Sequence, residues 1–320
     1  MLIRSKIVII FLTIVLPQCF HVVKRLVFAR KALPLWLKIN KDMDTEVVKI
    51  DIRQAISSKM PKASRWIPGF VYRWLARLIR QDELNRVLVD NRGLTGSAFA
   101  AGALRTLGVT VKVAGEDNIP DGGRHIFVSN HPLGGLDGIG LIAFLGKRYG
   151  DDQLRFLVND VLMAVKPLGN VFLPVNKYGS QSRGSMRAVD EAYSGDVQIG
   201  TFPAGLCSRE GADGKVRDLE WKKSFVVKSR ETHRDVIPIY FSGLNSRFFY
   251  KFAKFRKKLG IKFNIELILL PGEMVKNRGV EFEIRVGKPI AWTEFTDQRS
   301  TKEWADEVKR RVYDLADKHI

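Results

Sequence analysis

From Val109 onward, short apolar runs alternate with longer segments of helical periodicity, and this alternation limits the fold more than any other feature of the chain. Runs at 125–129, 154–158, 171–175, 197–202, 236–241, 265–270 and 282–286 have the length and side-chain content of buried strands. Between several of them, 137–148, 181–194, 220–230 and 246–258 read as helices, and a last helix is expected at 301–317. Alternation of this kind argues for an α/β fold, a mostly parallel sheet covered by helices. Upstream, 65–80 and 93–107 read as helices; the second, GLTGSAFAAGALRTL, is rich in small residues that permit close helix packing. The expected organisation is an α/β domain over 109–320 with an N-terminal helical lead over 43–108. A chain of this length suffices for one sizeable core.

The strand HIFVS (125–129) runs straight into Asn130-His131-Pro132-Leu133-Gly134-Gly135-Leu136-Asp137-Gly138 before the next helix begins. Imidazole titrates near neutral pH, and a carboxylate on one ring nitrogen fixes the tautomer and strengthens the other nitrogen as a proton acceptor. The exit of a buried strand is also where α/β folds place their sites. His131 is therefore the candidate general base and Asp137 its orienting partner. The other histidines have weaker contexts: His125 opens the strand, His233 sits among charges, and His21 and His319 lie near the termini.

This segment resembles the first motif of the lysophospholipid (1-acylglycerol-3-phosphate) acyltransferase superfamily, and three more segments follow in that family's order. Gly169-Asn-Val-Phe172-Leu173-Pro174-Val175 resembles the second motif, Phe202-Pro203-Ala204-Gly205-Leu206-Cys207-Ser208-Arg209 the third and Val236-Ile237-Pro238-Ile239 the fourth. The wording is most similar to the bacterial O-acyltransferases that finish ornithine and glycine lipids, often labelled hemolysin-like. The resemblance implies transfer of an acyl group from a thioester of acyl-carrier protein or coenzyme A to a lyso-lipid hydroxyl, with no bound cofactor and no metal. His131 would take the hydroxyl proton and Asp137 would stabilise the imidazolium. Main-chain N–H groups around Gly205 and Leu206 would hold the oxyanion, at ~3 kcal/mol per well-placed donor. Ser208 and Arg209 would line the substrate site, with Arg209 binding a head-group carboxylate or a donor phosphate, unless it forms a surface ion pair. Phe172, Pro174 and Pro238 would shape the pocket.

Three departures from the family's pattern stand out, and the last two bear on the acceptor. Five residues, Pro132 to Leu136, separate His131 from Asp137 where the family usually has four, and Gly134 and Gly135 are the natural place to absorb the extra one as a bulge. Val175 stands where the second motif normally has an Arg that holds the glycerol phosphate, and Ala204 where the third has Glu. Val175 and Ala204 favour a lyso-aminolipid over lyso-phosphatidate; 1-acylglycerol-3-phosphate acylation is the alternative.

Lys and Arg number 53 against 34 acids, for a net charge of +19. Such an excess suggests nucleic acid or an anionic membrane surface as partner. The aromatic company of the cations favours the membrane, and no zinc-ligand spacing or RNA-binding aromatic signature points to nucleic acid. Segment 246–262, SRFFYKFAKFRKKLGIK, offers Phe248, Phe249, Phe252, Lys254, Arg256 and Lys257, and 62–80 offers Trp66 and Trp74. The cysteines, Cys19 and Cys207, are too few for a disulfide framework, which makes a reducing compartment the default.

The first 42 residues read differently. A basic start followed by IVIIFLTIVL (7–16) suits an N-terminal anchor, while Met43 followed by DTEVVKIDIRQAI suits a chain start preceded by upstream translation. Thioester donors are cytoplasmic, which points to the cytoplasmic face of the inner membrane and a peripheral or monotopic attachment. Two rival classes remain at this stage: a thiol or serine hydrolase built on Cys207 or Ser208 with His131, and a non-catalytic membrane-binding protein.

Overall fold

The computed structural model describes residues 49–59, 61–175, 183–261 and 264–317. The segment 1–42, with its two expected origins, lies outside the described residues. Helices α1 (Ile52–Lys59), α2 (Pro61–Ser64), α3 (Gly69–Leu78), α4 (Gln81–Asp90) and α5 (Gly96–Leu107) come first. Then follow β1 (Thr110–Ala114), β2 (His125–Ser129), α6 (Leu136–Tyr149), β3 (Leu154–Asn159), β4 (Phe172–Val175), α7 (Arg183–Ser194) and β5 (Gln198–Thr201). The hairpin β6 (Arg209–Glu210) and β7 (Val216–Arg217) leads to α8 (Ser224–Thr232), β8 (Asp235–Phe241), α9 (Arg247–Lys258), α10 (Leu270–Lys276), β9 (Glu281–Val286) and α11 (Thr301–Asp314).

Among the described residues, seven strands form one sheet in the order β1-β9-β8-β2-β5-β3-β4. Its pairings are parallel except β8 with β9. Every residue of β2 is buried, as a continuous apolar run in a parallel sheet with both faces covered requires. Side chains alternate between the faces. Phe127, Ile237, Ile239 and Phe241 pack with Phe99, Ala103, Leu141 and Leu145 of α5 and α6. Ile126, Val128 and Val236 pack with Trp221, Phe225, Trp304 and Val308 beneath α8 and α11.

The small residues of α5 are used as their composition suggests. A Cβ on Gly146 of α6 would stand 2.4 Å from the Ser97 Cβ, so the two helices approach closely only because glycine is there. Since α5 shares the core of the sheet, position 108 separates no two cores; α1 and α3 instead form a small satellite cluster of Ile52, Ile56, Tyr72 and Ile79.

Three segments differ from expectation. Residues 265–270 are not a strand: Ile265–Leu269 is a 3-10 turn leading into α10, whose first turn holds Pro271. A short apolar run does not by itself distinguish a strand from a buried helical turn, and proline suits the start of a helix. Thr110–Ala114 is a strand with no counterpart in the sequence expectations, formed at the sheet edge by parallel pairing to β9. The segment EGADGKVRD (210–218), whose glycines and charges suit a mobile loop, is instead an antiparallel hairpin that ends in the buried Asp218.

Arg234 anchors the base of the sheet. Fully buried, it donates from Nε to Tyr193 O and from its two Nη atoms to the carbonyls of Val197, Ala192 and Gly195, so it caps the C-terminal end of α7. Burial pulls its pKa down to about 10. Hydrogen bonds to charged groups contribute ~1.5–3 kcal/mol each, and buried carbonyls left without partners carry a further cost. Arg234→Met is therefore expected to lower unfolding stability by at least ~3 kcal/mol, measured by denaturant titration.

Candidate active site

Parallel strands deliver their C-terminal ends to one edge of the sheet. β2 lies between β5 and β8, so the residues that follow β2 and β5 meet there. Asn130 fastens this edge: its Nδ2 donates to Phe241 O at 2.9 Å and its Oδ1 accepts from Phe241 N–H at 2.7 Å, joining β2 to the end of β8. The chain then turns through His131, and Phe202, directly after β5, stacks on the imidazole with ring centroids 4.1 Å apart.

Asp137 sits in the first turn of α6, fully buried, with Oδ2 2.9 Å from His131 Nδ1. Leu133 and Gly134 donate their N–H groups to the same oxygen and Gly138 donates to Oδ1. Gly134 has φ +74°, in the left-handed region that glycine tolerates and a Cβ-bearing residue resists. A Cβ there would also stand 2.9 Å from Leu270 and 3.0 Å from Cys207. The five-residue spacing is thus accommodated at the expected glycine, and the carboxylate still reaches the ring.

The electrostatics follow from burial. Desolvation alone would push the Asp137 carboxyl up, but the imidazole and the main-chain N–H groups outweigh it and hold the carboxyl below its usual range. Desolvation likewise pulls the imidazole down. The charge and hydrogen bond of Asp137, with Asp218 beyond, outweigh that pull and leave His131 more basic than its ordinary 6.5. The ring keeps 18% of its side-chain area exposed. With Nδ1 turned to Asp137, Nε2 is the remaining nitrogen for a substrate hydroxyl.

The third motif brings some of its residues together with His131 and withdraws others. Ser208 N–H donates to His131 O at 2.8 Å, but its hydroxyl is buried and donates to Asp218 Oδ1 at 2.6 Å, so Ser208 holds the His131 main chain and does not face a substrate with its hydroxyl. Gly205 N–H closes a turn on Phe202 O, which removes it as an oxyanion donor; Leu206, the next residue, keeps that role open. Arg209 is not a surface residue awaiting a head group. Nη1 donates to the Cys207 and Ser208 carbonyls and to Cys207 Sγ, Nη2 donates to Glu266 Oε1 at 2.8 Å, and the guanidinium lies over the Phe249 ring. Glu266 is fully buried and also pairs with Arg256 at 3.0 Å. Cys207 is buried too, and burial pushes its thiol up to about 11, so it is protonated at neutral pH.

Three expected pocket residues lie elsewhere. Phe172 is buried on β4 and Pro174 half-buried beside it, on the edge strand, three strand spacings or ~14 Å from β2. Pro238 is buried in β8, its ring against Gly287 and its carbonyl accepting the Gly287 N–H, under the C-terminal segment. Ala204 packs in the apolar cluster of Trp221 and Phe225, so the position where the family carries Glu faces the core here. Val175 ends β4 half-exposed, at the same edge of the sheet as His131.

The basic aromatic segments divide in the same way. On α9, Phe249 is fully buried and Arg256 is committed to Glu266, so neither can meet a membrane. Phe248 is 58% exposed, Phe252 stacks on it half-buried, Lys257 is exposed, and Lys254 is exposed but paired with Glu210. Trp66, at 87%, and Trp74 are exposed in the helical lead. Among the described residues, no helix is long and apolar enough to cross a membrane, and no group of His, Cys, Asp or Glu could hold a metal ion. Sequence reasoning gave no role to Asn130, Phe202, Asp218 or Glu266. Only Phe202 and Asn130, lying within the motifs, carried a signal that could have found them.

Residues 54–319 match the Acyltransferase family, and the chain belongs to it. A lyso-glycine lipid O-acyltransferase of Phocaeicola vulgatus is 45% identical over 275 residues, covering 86% of this chain and 98% of the relative. One of the same name from Bacteroides thetaiotaomicron is 42% identical over 272 residues, covering 85% of this chain and 99% of the relative. A crystal structure of the 1-acyl-sn-glycerophosphate acyltransferase of Thermotoga maritima has 21% identity over 78% of this chain and 90% of its own, with a TM-score of 0.44. The protein is an acyltransferase.

A base must be unprotonated to work. Because the His131 pKa is raised, activity is expected to rise with pH through a midpoint above 6.5. Asp137→Asn removes the charge that raises it, so that midpoint should move to lower pH as the rate falls. The dependence of kcat/KM on pH in both proteins checks this.

Proposed function

We propose that the protein transfers a fatty acyl group from a thioester of acyl-carrier protein or coenzyme A to the hydroxyl of a lyso-lipid with a glycine head group. The observation that carries the chemistry is the Asp137 carboxylate, fully buried and 2.9 Å from His131 Nδ1. His131 Nε2 takes the proton as the acceptor oxygen attacks the thioester carbonyl, and Asp137 stabilises the imidazolium. Collapse of the tetrahedral intermediate breaks the C–S bond, and the leaving thiolate receives that proton from Nε2. The main-chain N–H of Leu206 is the candidate oxyanion donor.

The acceptor class rests on the two relatives of that name, which match over nearly their whole lengths, and on Val175 replacing a phosphate-holding Arg. A phosphate that lacks such a partner loses a charge-assisted contact of ~1.5–3 kcal/mol. Acylation of lyso-phosphatidate is the weaker reading for that reason. A hydrolase using Cys207 or Ser208 is weaker still, since the thiol is protonated and the hydroxyl is spent on Asp218.

The site works at an anionic bilayer on the cytoplasmic face of the inner membrane, where the donors are. The apolar contacts are Trp66, Phe70 and Trp74 from the helical lead, Phe248, Phe252 and Phe255 from α9 and Leu259 directly after it; the last four recur at helical spacing along one face. Lys251 and Lys258 flank that face with charge. Asn245, just before α9, donates to the carbonyls of Pro132 and Leu133, which ties this surface to the catalytic loop.

His131→Ala is expected to lower turnover by ~10²–10⁴ while the protein stays folded, and Cys207→Ala to keep most of it. Competing lyso-glycine lipid against lyso-phosphatidate in one vesicle assay should favour the first by about ten- to a hundredfold. Equal use of both would return the enzyme to phospholipid synthesis. Sedimentation with phosphatidylglycerol vesicles should weaken as salt rises from 0.1 to about 1 M, because the Debye length shrinks to ~3 Å; binding indifferent to salt and to lipid charge would remove the electrostatic part of this surface.

A further inference from the structure

Asp218 is the second buried carboxylate at this site, and it touches the main chain of the base rather than its ring. Its Oδ1 accepts the His131 N–H at 3.1 Å and the Ser208 hydroxyl at 2.6 Å, and its Oδ2 accepts Trp221 Nε1–H at 2.8 Å. The Ser208 N–H in turn donates to His131 O at 2.8 Å. Both main-chain polar groups of His131 are therefore held by one stretch of chain, Ser208 to Asp218, which leaves the third motif, turns through the β6–β7 hairpin and comes back. Nothing in that geometry is needed to close the hairpin itself.

Asp218 is in turn fixed from outside the sheet. Its own N–H donates to the Tyr313 hydroxyl at 2.7 Å, and Lys309 Nζ donates to the carbonyls of Asp218 and Leu219 at 2.8 and 2.9 Å. Both partners lie on α11, so the last helix of the chain braces the base through this carboxylate. A carboxyl that buries itself at 6% exposure among three donors spends its desolvation cost on them.

We infer that Asp218 is a positioning residue for acyl transfer: with Ser208 it clamps the backbone of His131, while Asp137 sets the ring. This inference rests on His131 being the base. Two anchor points on one residue leave the imidazole little freedom to pivot, and a shift of ~1 Å at a reacting group costs on the order of 10²-fold in rate. The charged groups around the imidazole are Asp137 from α6, Asp218 from the end of the hairpin and Arg209 from β6; the two acids favour its protonated form and Arg209 opposes it. Burial pushes the Asp218 carboxyl up, and its three donors draw it part of the way back. An acceptor for three donors has no need of a proton of its own, so it is the anion that fits the contacts.

The test uses the full chain with Asp218→Asn, Ser208→Ala and His131→Ala, each checked for folding by circular dichroism and thermal unfolding. In Asp218→Asn, kcat is expected to fall by about ten- to a hundredfold, with the acceptor KM little changed. The acid limb of kcat/KM and the His131 imidazole titration followed by NMR should both move to lower pH. Ser208→Ala keeps the carboxylate and loses one arm of the clamp, so kcat should fall less and the His131 titration should stay in place; it carries the test if Asp218→Asn does not fold. A purely structural Asp218 would lower the unfolding temperature and leave kcat and the His131 titration untouched, which overturns the inference, as does a folded Ser208→Ala with unchanged kcat where Asp218→Asn is unfolded. If His131→Ala retains turnover, it is the base assignment that has failed; if His131→Ala is inactive while a folded Asp218→Asn matches the unaltered enzyme, it is this inference alone.

Discussion

The fully desolvated carboxylate of Asp137 is the constraint that the candidate site's edge of the sheet is built around. An ion buried without partners costs several kcal/mol even after the protein relaxes. Here the cost is offset by His131 Nδ1 and the N–H groups of Leu133, Gly134 and Gly138, with help from the N-terminal turn of α6. Gathering those donors onto one carboxyl dictates the path of residues 131–138. The chain can follow that path only with a left-handed residue at Gly134 and with no side chain to collide with Leu270 or Cys207. The glycines of the first motif are thus structural consequences of the acid beside them.

A second layer of buried ions holds the segments that face this edge. Glu266 accepts from Arg209 and Arg256, so the third motif, α9 and the turn before α10 share one anion. Glu273 accepts from the Ser246 N–H and hydroxyl and pairs with Lys276, which fixes the start of α9 on α10. Removing one partner from such a group leaves an uncompensated buried charge, a far larger penalty than the net worth of the pair. Rigidity at the site therefore comes from polar groups as much as from the apolar core below.

The same network connects chemistry to surface. Phe249 lies inside, under the Arg209 guanidinium, while Phe248 and Phe255 on the same helix face out. One helix therefore packs on the third motif with one side and leaves aromatic and basic side chains exposed on the other, the side proposed to meet a bilayer.

The sequence by itself determined the class of fold and the meeting of His131 with Asp137. Buried strands must be continuously apolar and a crossover must be helical, so alternation along the chain was enough to indicate the sheet, and His131 and Asp137 are close enough in sequence to meet through one turn. It determined less wherever a residue's role depends on distant chain. Arg209 reads as a head-group ligand or a surface ion pair until Glu266, 57 residues later, is placed against it and buries the pair. Phe249 and Arg256 read as interfacial until α9 is given a side to bury. Residues 265–270 read as a strand because a short apolar run has no period of its own. Asp218 lies in a Gly-rich charged stretch that resembles a loose loop, and only the fold carries it to the His131 backbone and under α11. Local patterns report what neighbours along the chain must do; which charge meets which across the molecule is decided by packing, because a buried ion takes whatever partner the tertiary structure brings to it.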